Sequence, residues 1–422
     1  MKSPCFGRGL SPRHRARAFA WMAGAALFSS AAALAASDTG LSLDEAGRLA
    51  LERQPQLAAQ EAMVASLQEN AVAARQLPDP KLILGVEGVP ADSFSLTRED
   101  MTQTVVGFSQ TIPGGDKLAL AGRRLDQEAS QSRLLLAASA RRIARDARLA
   151  WLEAYWPSAA AQLLERIEAE YARQVEWSEV AYKTGQLSQA ETLALRAMLA
   201  ETRNRMAELA GQQRRGKAAL ARWLGGAAQR PLQALDDPPP PPALAELEAR
   251  LSEHPELAAL GQGVEAARTD TQLARQAYRP DWSVDLSYGI RGNDRVDTVK
   301  LMVGVDLPLF PGQRQDRRLA ARHAELNQQE AMLEDRRRML EADLRMAYAD
   351  WQVAHERLER IEREILPLAA RRVDSALTAY RSNQVGYDRV LEARRAEVEA
   401  RLERLTQAVA QARAATLLTY FE

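Results

Sequence analysis

Two short stretches of the chain alternate strictly between apolar and polar or small residues. Trp282, Val284, Leu286 and Tyr288 are separated by Ser283, Asp285, Ser287 and Gly289. Val299, Leu301, Val303, Val305 and Leu307 alternate with Thr298, Lys300, Met302, Gly304 and Asp306. A period of two sends alternate side chains to opposite faces of a strand, so strands are predicted over 282–290 and 298–307. Residues 81–88 and 103–110 carry the same pattern less cleanly, through Leu82, Leu84 and Val86 and through Thr104, Val106 and Phe108. Pro90, Asp92 and Ser93 mark the loop between them.

Elsewhere the apolar positions recur at helical spacing. Ser42-Leu43-Asp44-Glu45 is a capping box; it opens a helix predicted to run to about Gln76, where Leu77-Pro78-Asp79-Pro80 stops it. After Pro113-Gly114-Gly115 a single helix is predicted from Asp116 to about Tyr182, with Pro157 inside it. Its roughly 66 residues would span about 100 Å, a length that suits coiled-coil-like packing better than a globular core. Gly185 is placed to take the left-handed position after the helix. Ser188-Gln189-Ala190-Glu191 is a second capping box and starts a return helix to about Leu224. Asp236, Asp237 and Pro238 to Pro242 make a stiff linker. Beyond it come a helix near 243–277, the two strands, and a long helix from about Gln313 to Tyr380. A turn at Asn383-Gln384 and a last helix to Tyr420 complete the chain.

This order occurs twice. Gln54-Pro55-Gln56-Leu57 returns as His254-Pro255-Glu256-Leu257, and Leu77-Pro78-Asp79 as Arg279-Pro280-Asp281. Ile112-Pro113-Gly114 returns as Phe310-Pro311-Gly312, and Tyr182-Lys183-Thr184-Gly185-Gln186-Leu187 as Tyr380-Arg381-Ser382-Asn383-Gln384-Val385. The chain therefore divides into residues 1–35, a first repeat over 36–235, the linker 236–242 and a second repeat over 243–422. Each repeat reads helix, strand pair, very long helix, tight turn, helix.

Residues 1–35 have the pattern of a cleaved export signal. Lys2, Arg8, Arg13, Arg15 and Arg17 precede a short apolar run, and Ala33-Leu34-Ala35 ends it. The only cysteine, Cys5, lies inside this segment, so the mature chain would lack thiols and disulfides. Without the five basic residues of the signal, 51 Lys and Arg face 56 Asp and Glu, a balance that gives no reason to expect nucleic-acid binding. No later stretch is apolar enough for a membrane-spanning helix. A membrane form must then cross as a closed barrel. One apolar and one polar strand face fits a lipid-facing barrel, and equally a soluble sheet with one wet side. Four strands close no barrel, since about eight is the working minimum. In lipid, copies must combine to a multiple of four strands.

Catalytic chemistry is absent from the pattern: there is no nucleophile motif and no phosphate-binding glycine loop. Outside the export signal the histidines are His254, His323 and His355, and no two stand at metal-ligand spacing. No metal or cofactor site is expected, and the chain is not read as an enzyme. The scattered methionines are read as packing residues.

Taken together, the duplicated helix–strand–hairpin order and the two tips resemble the TolC family of outer-membrane efflux ducts. The resemblance implies a mostly α protein with a small membrane β part. Duplicated protomers of long helical hairpins plus four strands would assemble as a homotrimer, with a 12-stranded β-barrel continued by an α-helical barrel. It further implies an outer-membrane location with most of the chain in the periplasm, in contact with outer-membrane lipid. The tips at Gly185, Gln186, Leu187 and Ser188 and at Asn383, Gln384, Val385 and Gly386 would meet a periplasmic adaptor protein, itself bound to an inner-membrane pump. Leu77-Pro78-Asp79-Pro80-Lys81, Gly85-Val86-Glu87, Val89-Pro90 and Met101-Thr102 are similar to the heavy-metal branch, which works with resistance-nodulation-division pumps. In the family two inward carboxylates three residues apart narrow the periplasmic aperture. Here Arg389 and Glu392 stand at those positions beside Asp388, which implies a mixed ring of charge. Trp282 and Tyr288 would be membrane-interface aromatics. Drug efflux and type I protein secretion are alternative duties for such a duct. Two further classes compete: a periplasmic adaptor, which would normally carry one hairpin flanked by β-rich modules, and a structural coiled-coil protein, which would not need strands with one lipid-compatible face.

Overall fold

The computed structural model describes residues 40–292 and 294–422; the predicted export signal lies outside them. In chain order the elements are α1 (Leu43–Arg53), α2 (Pro55–Ala73), β1 (Lys81–Glu87), β2 (Gln103–Ile112), α3 (Lys117–Lys183), α4 (Gln189–Leu224), α5 (Leu244–Arg250) and α6 (Pro255–Gln276). Then follow β3 (Trp282–Arg291), β4 (Thr298–Val305), α7 (Gln315–Arg360), α8 (Leu366–Arg381) and α9 (Tyr387–Leu418). Among the described residues, no helix is long and apolar enough to cross a membrane.

The single helix expected from Ser42 to Gln76 is two helices. Gln54 stands between them in extended backbone, with φ −86° and ψ 111°, because proline disfavours helical backbone in the residue before it. Pro55 then starts α2, where its missing N–H costs nothing. His254-Pro255 repeats the device at the start of α6. The long helix expected from 313 to 380 carries a π-helical segment over Ile361–Ile365, after which Pro367 sits in the first turn of α8. By contrast α3 runs unbroken for 67 residues through Pro157.

The described chain forms two compact units. One comprises 40–50, 147–237 and 364–409; the other comprises 51–146, 238–363 and 410–422. Each draws segments from both sequence repeats. In the first unit Leu164, Ile167, Tyr171, Leu195, Tyr387 and Val390 form the core of the paired hairpins. Trp151 is fully buried there, its indole N–H donating to the Leu41 carbonyl at 3.0 Å.

The second unit contains the sheet, antiparallel throughout, in the order β1-β2-β3-β4. Asp281 ties the base of the sheet to the start of α3: it accepts from the Gly114 N–H at 2.7 Å and pairs with Lys117 Nζ at 2.6 Å. A Cβ at Gly114 would lie 1.9 Å from the Pro280 carbonyl oxygen, which explains the glycine. A second core in this unit gathers Leu247, Leu251, Leu340, Leu344, Leu418 and Phe421.

Candidate functional site

Register across the sheet lines up its apolar side chains in rows. Leu82 faces Phe108, Phe108 faces Leu286, and Leu286 faces Leu301. The next row is Leu84, Val106, Tyr288 and Val299. All eight are exposed, from 38% at Val106 to 71% at Val299. The opposite face carries Ile83, Gly107, Ser287 and Lys300 in one row and Gly85, Val105, Gly289 and Thr298 in another. A soluble sheet would turn its apolar face inward. Here the apolar face is exposed across all four strands, and an exposed apolar patch of this kind marks an interaction surface. Trp282 and Tyr288 both lie on this face, 46% exposed each, and the Tyr288 hydroxyl donates to Asp297 at 2.5 Å.

In the first unit the two hairpin tips come together. Gly185 takes φ 73° and Asn383 φ 54°, so each helix ends in a left-handed residue. The capping box at Ser188 is complete: the Glu191 N–H donates to Ser188 Oγ at 3.2 Å, and the Ser188 N–H donates to Glu191 Oε2 at 2.8 Å. The other carboxylate oxygen, Glu191 Oε1, accepts the backbone N–H of Tyr387 at 3.0 Å. The residue that caps α4 thus also caps α9. Burial acts most strongly on Glu191 and pushes its pKa up, but hydrogen bonds from Ser188 and Tyr387 together hold it below the usual carboxylate value. Gly185, Gln186, Ser188, Asn383, Gln384 and Gly386 are exposed, whereas Leu187 is buried in the hairpin core and Val385 is half-buried. Leu187 packs the tip from within. Trp177 and Tyr380 lie against Tyr387, with ring centroids at 5.5 and 5.1 Å.

One turn beyond the tip, Glu392 is exposed and pairs with two arginines. Arg372 of α8 reaches Oε1 at 2.7 Å, and Arg389 reaches Oε2 at 3.0 Å. These bonds, that from Arg389 first, hold the Glu392 carboxyl below its ordinary pKa. Asp388 is exposed beside them. Arg372 lies 20 positions from Glu392 and carries no motif, so only the antiparallel pairing of α8 and α9 reveals it.

Residues 247–419 match the family model described as outer membrane efflux protein. The chain resembles the solved structure of CusC, a protein that forms a transmembrane channel, with TM-score 0.77 and 16% identity over 91% of this chain and 93% of that one. The fold is that of an outer-membrane efflux channel. Similar figures hold for the outer membrane protein VceC of Vibrio cholerae, with TM-score 0.75 and 16% identity over 90% and 95% of the two chains. The MtrE outer membrane channel of Neisseria gonorrhoeae, in its open state, gives 0.73 and 14% over 90% and 88%. No curated protein sequence matches the chain.

Two histidines are held by contacts within the chain. His254 is buried, with Nε2 3.0 Å from the Tyr420 carbonyl oxygen and Nδ1 accepting from the Glu256 N–H at 3.3 Å. His355 stacks on Trp351, with centroids 5.1 Å apart. No group of three or more His, Cys, Asp or Glu among the described residues could hold a metal ion.

Proposed function

We propose that this chain is the outer-membrane exit duct of a tripartite efflux system, assembled as a homotrimer and passively conducting substrate from an adaptor and pump to the exterior. The observation that carries this reading is the sheet: an exposed apolar face, an opposite face of mostly polar and small residues, and unpaired edges at β1 and β4. In hydrocarbon an open edge leaves backbone groups unsatisfied at several kcal/mol each, so a strand-built span has to be closed. Three copies supply 12 strands, with the apolar faces toward lipid and the polar faces toward a wet lumen. Outer-membrane localisation follows from that closure.

Within this reading the exposed tip residues Gly185, Gln186, Ser188, Asn383, Gln384 and Gly386 meet the adaptor. The Asp388–Arg389–Glu392 group, with Arg372, narrows the periplasmic aperture. The cargo is a heavy-metal cation delivered by a resistance-nodulation-division pump. That last step is supported by the short segments around Leu77–Lys81, Gly85–Glu87 and Met101-Thr102. The decisive experiment pairs native mass measurement of the purified mature chain in detergent with planar-bilayer recording. Three copies and discrete channels are expected; a monomer without channel activity would refute the duct. Growth of a strain lacking the protein on copper, silver, cobalt, zinc or cadmium salts tests the cargo, and unchanged metal tolerance would exclude it.

A further inference from the structure

His254 is buried, 2% exposed, at a junction of several elements of the second unit. It follows the short turn Leu251–Glu253 and stands just ahead of Pro255, the first residue of α6. Its ring packs against Tyr420 and Phe421, the last aromatic residues of the chain, with centroids 4.8 and 6.3 Å away. Arg336 of α7 joins the junction through its pair with Glu256 at 2.7 Å.

The two ring nitrogens face backbone groups whose roles are fixed. The Glu256 N–H can only donate, and it lies 3.3 Å from Nδ1. The Tyr420 carbonyl can only accept, and it lies 3.0 Å from Nε2. The single proton of the neutral ring therefore sits on Nε2, and Nδ1 is the acceptor that caps α6. A second proton can bind only at Nδ1, where it points at the Glu256 N–H. Protonation thus replaces a hydrogen bond with two opposed donors and puts positive charge at a helix N-terminus.

Charged groups reach this ring from every side. On α3 stand Arg141, Arg142 and Arg145, the last with its guanidinium 4.7 Å from the centre of the Tyr420 ring. Glu256 lies on α6 and Arg336 on α7, where Asp343 adds its charge to that arginine. Burial first, then Arg141 and Arg336, push the His254 pKa below the ordinary histidine value, against the Tyr420 carbonyl and Glu256, which favour the charged ring. Burial pushes Glu256 up, but hydrogen bonds from Arg336 and the Tyr420 hydroxyl hold it below the usual carboxylate value. Burial and the bond to Glu256 push Tyr420 up to about 12. Of the groups touching the ring, His254 alone changes charge between neutral and mildly acidic pH.

We infer that His254 is an acid-sensitive clasp: the neutral ring caps α6 and holds the C-terminal segment, and protonation opens both contacts together. The clasp does not depend on how the sheet closes. Because the folded pKa is depressed, its contribution is fully present above the ordinary histidine pKa of about 6.5 and is lost as pH falls through the folded value. A charged ring gains by leaving the buried junction for water. The Tyr420 carbonyl then loses its donor and Phe421 its ring contact. The Tyr420 hydroxyl stays on Glu256 at 2.7 Å, so the opening is confined to the first turn of α6 and the residues after Leu418.

The test is hydrogen exchange of the full mature chain in detergent, read at residues 256–260 and 417–422 between about pH 7.5 and about pH 5, with each rate corrected for its intrinsic pH dependence. His254→Asn is the comparison, since asparagine keeps an acceptor for the Glu256 N–H and does not titrate. Wild-type protection should fall roughly tenfold and reversibly in both segments, and protection in the variant should be independent of pH. Unchanged wild-type protection, or the same fall in His254→Asn, overturns the clasp. If that variant does not fold, nitrogen NMR of labelled histidine decides, in a chain carrying His323→Gln and His355→Gln so that His254 alone is seen. A proton on Nε2 at neutral pH, with the ring charging over the range in which the segments open, supports the clasp. A proton on Nδ1, charging without opening, or opening while the ring is neutral contradicts it.

Discussion

Glu191 and Tyr387 lie 196 positions apart, yet the Glu191 carboxylate accepts the Tyr387 backbone N–H at 3.0 Å while its other oxygen closes the capping box with Ser188. One side chain thereby fixes the first turns of two helices from different sequence repeats. Glu191→Gln keeps the shape and removes the charge. It should cost about 1–2 kcal/mol locally, so amide exchange at Thr192 and Tyr387 rises roughly tenfold while global melting hardly moves. Unchanged exchange at Tyr387 would show that the bridge adds nothing.

The same carboxylate sets a pH dependence. Its folded pKa is depressed, so its contribution is fully present above the unfolded carboxylate pKa and is lost as pH falls through the folded value. Tip protection by hydrogen exchange should therefore hold at neutral pH, decline only below the ordinary Glu range, and lose that acid dependence in Glu191→Gln. A decline centred between pH 6 and 8 would contradict the assignment.

At the proposed aperture Glu392 is held by Arg372 and Arg389 of its own chain. Glu392→Lys turns both attractions into repulsions and should raise single-channel conductance, as should Arg372→Glu. The double swap, Arg372→Glu with Glu392→Lys, restores one pair and should return conductance toward wild type. Unchanged conductance in both single variants would place the constriction elsewhere, and leaky singles without rescue would show that the Arg372–Glu392 pair is not what closes it.

At the sheet base the Gly114 hydrogen faces the Pro280 carbonyl oxygen, where a Cβ would come within 1.9 Å. Gly114→Ala should destabilise this junction by about 1–3 kcal/mol, a typical overpacking cost, visible as a lower urea midpoint. Gly226→Ala, with nothing within 4 Å of the new atom, is the matched control.

Strands β3 and β4 were legible because side chains alternate between faces, so Trp282 to Tyr288 and Val299 to Leu307 announce themselves. The left-handed end at Gly185, the turn at Asn383-Gln384 and the Ser188 capping box were legible because their chemistry is local, whereas the left-handed φ of Asn383 was not read from the sequence. The break at Gln54 was missed although Pro55 was in view, since helical periodicity on both sides outweighed a single proline. Leu187 was grouped with exposed tip residues, yet its side chain turns into the hairpin core, a direction set by tertiary packing. The Glu191–Tyr387 and Arg372–Glu392 contacts carry no local signal, and that the apolar face is exposed across all four strands emerges only when the rows of the sheet are aligned.

The central claim is that the apolar face of the sheet meets lipid. With Leu286→Cys and, separately, Ser287→Cys labelled with an environment-sensitive fluorophore, the reconstituted mature chain can be titrated with lipids carrying acyl-chain quenchers. Strong quenching is expected at position 286 and little at its neighbour 287, whose side chain points to the other face. Equal quenching at both positions, or none at 286, would contradict it.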